Sequence, residues 1–154
     1  MKKLITYLSI IFGSIFFFGC SKTVDLTETN DNKVAKLLAG NGVGVRYWHL
    51  DKIYINEVLQ KLTDIQKKYV KVYTADPSNA EPENPKSGTF KNEEGLNGNW
   101  RLNDSSGDLL SEIYTDSLGI SISNVYLINS ISLTILDIEN TVSYKTVRKQ
   151  YYAD

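Results

Sequence analysis

The chain has 154 residues, with 17 basic against 18 acidic side chains, one histidine and one cysteine. A net charge of −1 without clustered Lys and Arg argues against a nucleic-acid footprint, and a single thiol leaves no disulfide framework. With one histidine, a hydrolytic triad or a zinc centre lacks its usual residues.

Taken in order, the first twenty residues carry the clearest signal. Lys2 and Lys3 are followed by a mostly apolar run from Leu4 to Phe18, which closes on Gly19-Cys20. Charged, apolar and small residues in that order are the layout of an export signal. At about 15 residues the run is shorter than the roughly 20 of a membrane-spanning helix. Phe17-Phe18-Gly19-Cys20 resembles the lipobox of bacterial lipoproteins. That resemblance implies cleavage before Cys20 and attachment of diacylglycerol to its thiol. Each buried methylene contributes about 0.8 kcal/mol, so a diacylglycerol plus an N-acyl chain is a permanent anchor. Removing residues 1–19 leaves 135 residues, one domain's length, with 15 basic against 18 acidic side chains.

Residues 20–32 are polar and aperiodic and read as a flexible tether. Ser21-Lys22-Thr23 stands where surface-displayed lipoproteins of some bacteria carry an acidic run. Its presence favours a cell-envelope site at the outer membrane, facing the periplasm. Residues 33–38 have the pattern of a short helix stopped by Gly40. Residues 46–55 are rich in β-branched and aromatic side chains and read as the first strand. Trp48 and Leu50 share one face, whereas Ile53 and Ile55 have the other parity. Either both faces are covered or a bulge near Asp51 exchanges them.

Asn56-Glu57 falls where a two-residue hairpin turn would sit. The rival is a helix from Glu57, on the spacing of Val58, Leu59, Leu62 and Ile65. Thr63-Asp64-Ile65-Gln66 has capping-box spacing and opens a short helix to about Lys68. Residues 69–74 form the next strand, and residues 75–86, with all three prolines, read as an exposed loop.

Further strands are expected over 87–92, 96–103, 108–114, 120–131, 133–138 and 142–152, with turns at 104–107 and near Asn129 and Asn140. Leu96, Gly98, Trp100 and Leu102 alternate with Asn97, Asn99, Arg101 and Asn103, one dry face against one wet. About eight strands with one or two short helices make an all-β antiparallel domain over residues 33–154.

In order along the chain stand Trp48-His49-Leu50-Asp51-Lys52-Ile53-Tyr54, then residues 62–69 around Thr63-Asp64-Ile65-Gln66, Ser87-Gly88-Thr89-Phe90, and Gly98-Asn99-Trp100-Arg101-Leu102. This series resembles the lipocalin-like domains of small bacterial lipoproteins, over roughly residues 34–153. The resemblance implies an up-and-down lipocalin-like β-barrel with a central cavity. It also implies a basic residue of the last strand lying over the first-strand tryptophan, a place that Arg148 would take above Trp48. Lipocalins proper carry Gly-x-Trp in the first strand; here Gly44 stands four residues before Trp48. The resemblance supplies a fold, not a substrate.

No catalytic residue, metal site or cofactor is expected. His49 and Asp51 read as a solvated strand face, Asp104-Ser105-Ser106-Gly107-Asp108 as a hairpin turn lacking the closing glutamate of a calcium loop. Glu93-Glu94 reads as an exposed turn and Lys67-Lys68 as a solvated helix face. Trp48, Tyr54, Phe90 and Trp100 are the candidate core or cavity-lining residues. The expected function is that of a lipid-anchored, non-enzymatic envelope module holding a small apolar or amphiphilic ligand. The alternative is an accessory subunit docking another envelope protein through its outer surface. An apolar cavity above about 300 Å³ would favour the first and a filled interior with an exposed apolar patch the second. Ionisable groups converging in a cleft would bring an enzyme back into view.

Overall fold

The computed structural model describes residues 30–40, 44–75, 86–103 and 105–153. The expected signal over 1–19, the expected lipid-attachment residue Cys20, most of the expected tether, residues 76–85 of the proline-bearing loop and Asp104 lie outside the described residues.

Helix α1 (Asn30–Ala39) is followed by nine strands: β1 (Val45–Ile55), β2 (Val58–Gln60), β3 (Val70–Ala75), β4 (Ser87–Lys91), β5 (Asn97–Leu102), β6 (Leu109–Thr115), β7 (Ser121–Ile131), β8 (Ile135–Val142) and β9 (Lys145–Tyr152). β1 and β3 to β9 pair antiparallel in chain order, and β9 returns to β1. Eight strands therefore close an up-and-down barrel, as the strand pattern predicts. Short β2 continues the edge of β1 beyond β3.

The parity change in β1 is a bulge: its pairing with β9 shifts between Leu50 and Lys52. Trp48 and Leu50 are buried before it and Ile53 after it, so both halves keep an apolar face inside. Asn56 and Glu57 take positive φ of 48° and 63°, the twist that a two-residue hairpin turn requires. The hairpin thus replaces the rival helix. The capping box also forms: the Thr63 amide donates to Gln66 Oε1 at 2.9 Å and the Gln66 amide to Thr63 Oγ1 at 3.2 Å. A single 3₁₀ turn, Gln66–Lys68, follows.

Three boundaries differ from the sequence reading. The helix begins at Asn30, three residues inside the expected tether. Asp31 and Asn32 are buried there, Asp31 with Lys86 Nζ at 2.8 Å, and the Asn30 side-chain amide donates to the Ser106 carbonyl. β7 runs through Asn129, which sits at a register shift rather than a turn; the chain reverses at residues 132–134, where Ser132 Oγ accepts from the Ile135 amide at 3.0 Å. β8 runs through Asn140 to pair as far as Val142 with Lys145, and the reversal is at Ser143 and Tyr144.

α1 lies across the end of the barrel where β1 begins. Val34, Ala35, Leu38 and Ala39, one face of the helix, are buried against it. The last helical carbonyls, orphaned by geometry, are taken by the wall: Trp48 Nε1 donates to the Leu38 carbonyl at 2.9 Å and Arg46 Nη1 to the Leu37 carbonyl at 2.8 Å. Gly40, at φ +80°, then ends the helix. Beneath α1 the buried wall positions are apolar, among them Ala75, Leu102, Leu110, Ile128 and Leu136. Trp100 reaches across Gly88 to donate from Nε1 to the Thr74 carbonyl at 3.0 Å. A Cβ on Gly88 would stand 1.9 Å from that carbonyl oxygen, so only glycine fits beneath the indole.

Candidate functional site

The opposite end is built from different residues. Four strands send inward a polar side chain and a tyrosine two places later: Lys71 and Tyr73 on β3, Glu112 and Tyr114 on β6, Asn124 and Tyr126 on β7, Lys149 and Tyr151 on β9. The two-residue period of a strand sends each such pair to one face, and here that face is the interior.

Lys71 Nζ lies 3.0 Å from both Glu112 oxygens and 3.8 Å from Glu93 Oε2. The Tyr73 hydroxyl donates to Glu112 Oε1. Glu93 enters from the β4–β5 turn, and its Oε1 accepts from Lys149 Nζ at 2.8 Å and from the Tyr151 hydroxyl at 2.5 Å. Asn92 aims that turn: its Oδ1 accepts from the Glu94 and Leu96 amides at 3.0 and 2.8 Å. The side chains of Lys71 and Glu112 are each 1% exposed, and that of Glu93 is 9% exposed. The Lys71 ammonium also stands over tyrosine rings, 4.9 Å from the Tyr126 centroid and 5.9 Å from that of Tyr151.

Burial works against the charge on Lys71, but Glu112 and then Glu93 outweigh it and hold the ammonium well above its ordinary range. Burial likewise pushes Glu93 up, while Lys71 and Lys149 pull its carboxyl well below the usual carboxylate range. Burial, then the neighbouring carboxylates, push the Tyr73 and Tyr151 hydroxyls up. These shifts hold Lys71 as the ammonium, Glu93 as the carboxylate and the Tyr73 and Tyr151 hydroxyls neutral.

Over it lies a cavity of about 140 Å³. Glu112, Glu93 and Lys149 form its depth, and Tyr69, Tyr114, Tyr126 and Asn124 its sides; Glu94, exposed, stands at the lip. A broader groove of about 500 Å³ runs over the outer wall past Thr74, Thr89 and Asn99. It holds no comparable set of convergent groups.

Trp48, Phe90 and Trp100 are buried, with Tyr73 edge-on to Trp100 at 6.2 Å. They are core, packed beside the network. Tyr54 is neither core nor cavity-lining: past the bulge it faces outward. Arg148, opposite Tyr54 in the β1–β9 ladder, places its guanidinium 5.5 Å over that ring and binds Asp137 with Nη2 at 2.6 Å. It therefore cannot cover Trp48, which points inward on the other side of the bulge. The cation over Trp48 is Arg46, 5.6 Å from the ring centroid. His49 stacks on Tyr152 at 5.2 Å, and Asp51 pairs with Lys52 at 3.4 Å. Glu93 lies in a turn as expected, but its carboxylate turns into the barrel because Lys71 and Lys149 await it there.

Comparison with known protein families, with curated proteins and with solved structures gave no match.

Proposed function

We propose that the protein is a lipid-anchored binding module of the cell envelope, held through Cys20 at the outer membrane on the periplasmic side. In this reading the barrel, lipocalin-like in its resemblance, takes the head of a small amphiphilic ligand into its open end and catalyses nothing. The observation that carries the reading is the cavity over the buried ion network. Well-packed apolar residues in place of a buried ion pair are often neutral or stabilising, and the helix end of this barrel is filled in that way. The polar filling of the other end therefore favours a role beyond stability.

At about 140 Å³ the cavity is smaller than the roughly 300–1,000 Å³ of drug-sized pockets. It suits a head group rather than a whole ligand, and its polar walls do not suit a wholly apolar one. The β6–β7 and β8–β9 turns lie at this same end of the barrel, and exposed Leu118, Ile120, Val142 and Tyr144 on and beside them would offer a tail somewhere to lie. The ionisable groups converge, yet Lys71 is held well above its ordinary range by Glu112 and Glu93, and Glu93 well below its own by Lys71 and Lys149. Both lie far from the neutrality that suits a general acid or base, which supports binding over catalysis.

Native mass spectrometry of the lipoprotein purified from its own envelope in mild detergent tests the reading. A retained amphiphile is expected, and consistently empty protein would overturn it. Cys20→Ser should release the protein from the membrane and abolish incorporation of labelled fatty acid.

A second reading, docking to another envelope protein, has one observation in its favour. Exposed Ile135 and Tyr152 pair across β8 and β9, Tyr152 pairs with His49, and exposed Tyr47 and Val45 continue the row along β1. Tyr47→Lys should then abolish association with that protein without emptying the cavity.

A further inference from the structure

We infer that the head group taken by the open-end cavity is a cation, an ammonium carried on an aliphatic tail; this rests on the cavity being a ligand site. The Lys71 ammonium is spent on both oxygens of Glu112, and Lys149 is held by Glu93. An entering anion would find these cations engaged and would face the carboxylates of Glu93, Glu94 and Glu112.

The groups still free offer lone pairs and ring faces. Glu94 has no ion-pair partner among the described residues. Tyr126 lines the cavity and is only 6% exposed, yet its hydroxyl makes no hydrogen bond among the described residues. Tyr69 and Tyr114 add ring faces to the same wall. The barrel already shows this chemistry on an ammonium of its own, since Lys71 sits 4.9 Å over the Tyr126 ring with carboxylates around it. A ligand ammonium would repeat that arrangement one layer nearer the mouth.

Three probes with one tail and different heads test the inference: hexylammonium, 1-hexanol and hexanoate. Each is titrated at neutral pH by calorimetry into the full-length protein in non-ionic detergent, against a micelle blank. Hexylammonium is expected to bind about tenfold more tightly than hexanol, from a ring-face contact and one exposed ion pair, with hexanoate the weakest. Glu94→Gln, at an exposed lip position, should remove a large part of the hexylammonium preference and leave hexanol unchanged. Tyr126→Phe keeps the ring and should weaken hexylammonium alone. Equal binding of hexanol and hexylammonium would overturn the cationic head while leaving the amphiphile site standing. Tighter binding of hexanoate would do the same. No binding by any of the three would overturn both.

Discussion

The two ends of the barrel meet one problem, how to fill a closed sheet, with opposite chemistry. Under α1 the filling is Trp48, Trp100, Leu102, Leu110 and Leu136. At the other end it is Lys71, Glu112, Glu93 and Lys149 among tyrosines. Apolar burial contributes about 25 cal/mol per Å² with no partner required, so each contact counts for itself. An ion network offsets its desolvation only while every charge keeps its counterion. The helix end should therefore fail in proportion to what is removed, and the open end all at once.

The largest effects test that contrast directly. Lys71→Met leaves Glu112 and Glu93 short of a counterion and should cost about 3 to 5 kcal/mol of unfolding free energy. Adding Glu112→Leu should restore more than half of it, because the stranded charge goes too. Trp100→Ala should cost about 3 to 5 kcal/mol as well, but Trp100→Phe distinctly less. Urea midpoints of the four variants decide the matter. A double variant no more stable than Lys71→Met would show that the network is not the unit it resembles.

Next in size is Gly88→Ala, whose Cβ would meet the Thr74 carbonyl at 1.9 Å and Trp100 Nε1 at 2.7 Å. Overpacking of this kind costs about 1 to 3 kcal/mol, visible in thermal unfolding. Acid separates the ends in another way. Glu93 has a folded pKa below its unfolded one. Its contribution is complete above the unfolded carboxylate value of about 4.3 and is lost as pH falls through the folded value. Asp137, lowered by hydrogen bonds from Arg148, Gln150 and Asn129 against its own burial, acts in the same direction. Unfolding midpoints from pH 7 to 2 should fall less steeply in Glu93→Gln, and the slope that remains belongs to Asp137 and the other carboxylates. An unchanged slope would mean that Glu93 is not held by its ammonium partners.

The same contrast explains what could be read from the chain. Much of the wall was legible because its residues obey local rules: the alternation from Leu96 to Leu102, the parity change at Asp51, and the capping residues Thr63 and Gln66. The open end was not, because the strand pattern there is inverted. Val70 and Val72 face outward while Lys71 and Tyr73 face in, and a charge between two valines reads as the wet face. The partner that makes burial tolerable, Glu112, lies 41 residues away and leaves no local trace. A weak trace did exist in the repeat of a polar residue two places before a tyrosine, at Lys71, Glu112, Asn124 and Lys149. Glu93 had no such mark, since a carboxylate in a turn is ordinarily solvated.

The smallest expected effect concerns which arginine covers Trp48. Arg46 and Arg148 are both half-buried cations beside an aromatic ring, at 5.6 Å from Trp48 and 5.5 Å from Tyr54. Their strand positions separate them: Arg46 shares the inward parity of Trp48, and Arg148 pairs with Tyr54 beyond the bulge. Cation–π contacts at such sites are worth about 0.5 to 2 kcal/mol. A double-mutant cycle of Trp48→Phe with Arg46→Met should therefore give a coupling of about 0.5 to 1 kcal/mol, its size limited because the phenyl ring keeps part of the contact. Arg46 also donates to the Leu37 carbonyl, but that bond cancels in the cycle because it is lost from both backgrounds. The parallel cycle of Trp48→Phe with Arg148→Met should show coupling indistinguishable from zero. If the second cycle coupled and the first did not, the register across the β1–β9 seam would be wrong by the width of the bulge, and with it the assignment of Lys149 to the cavity.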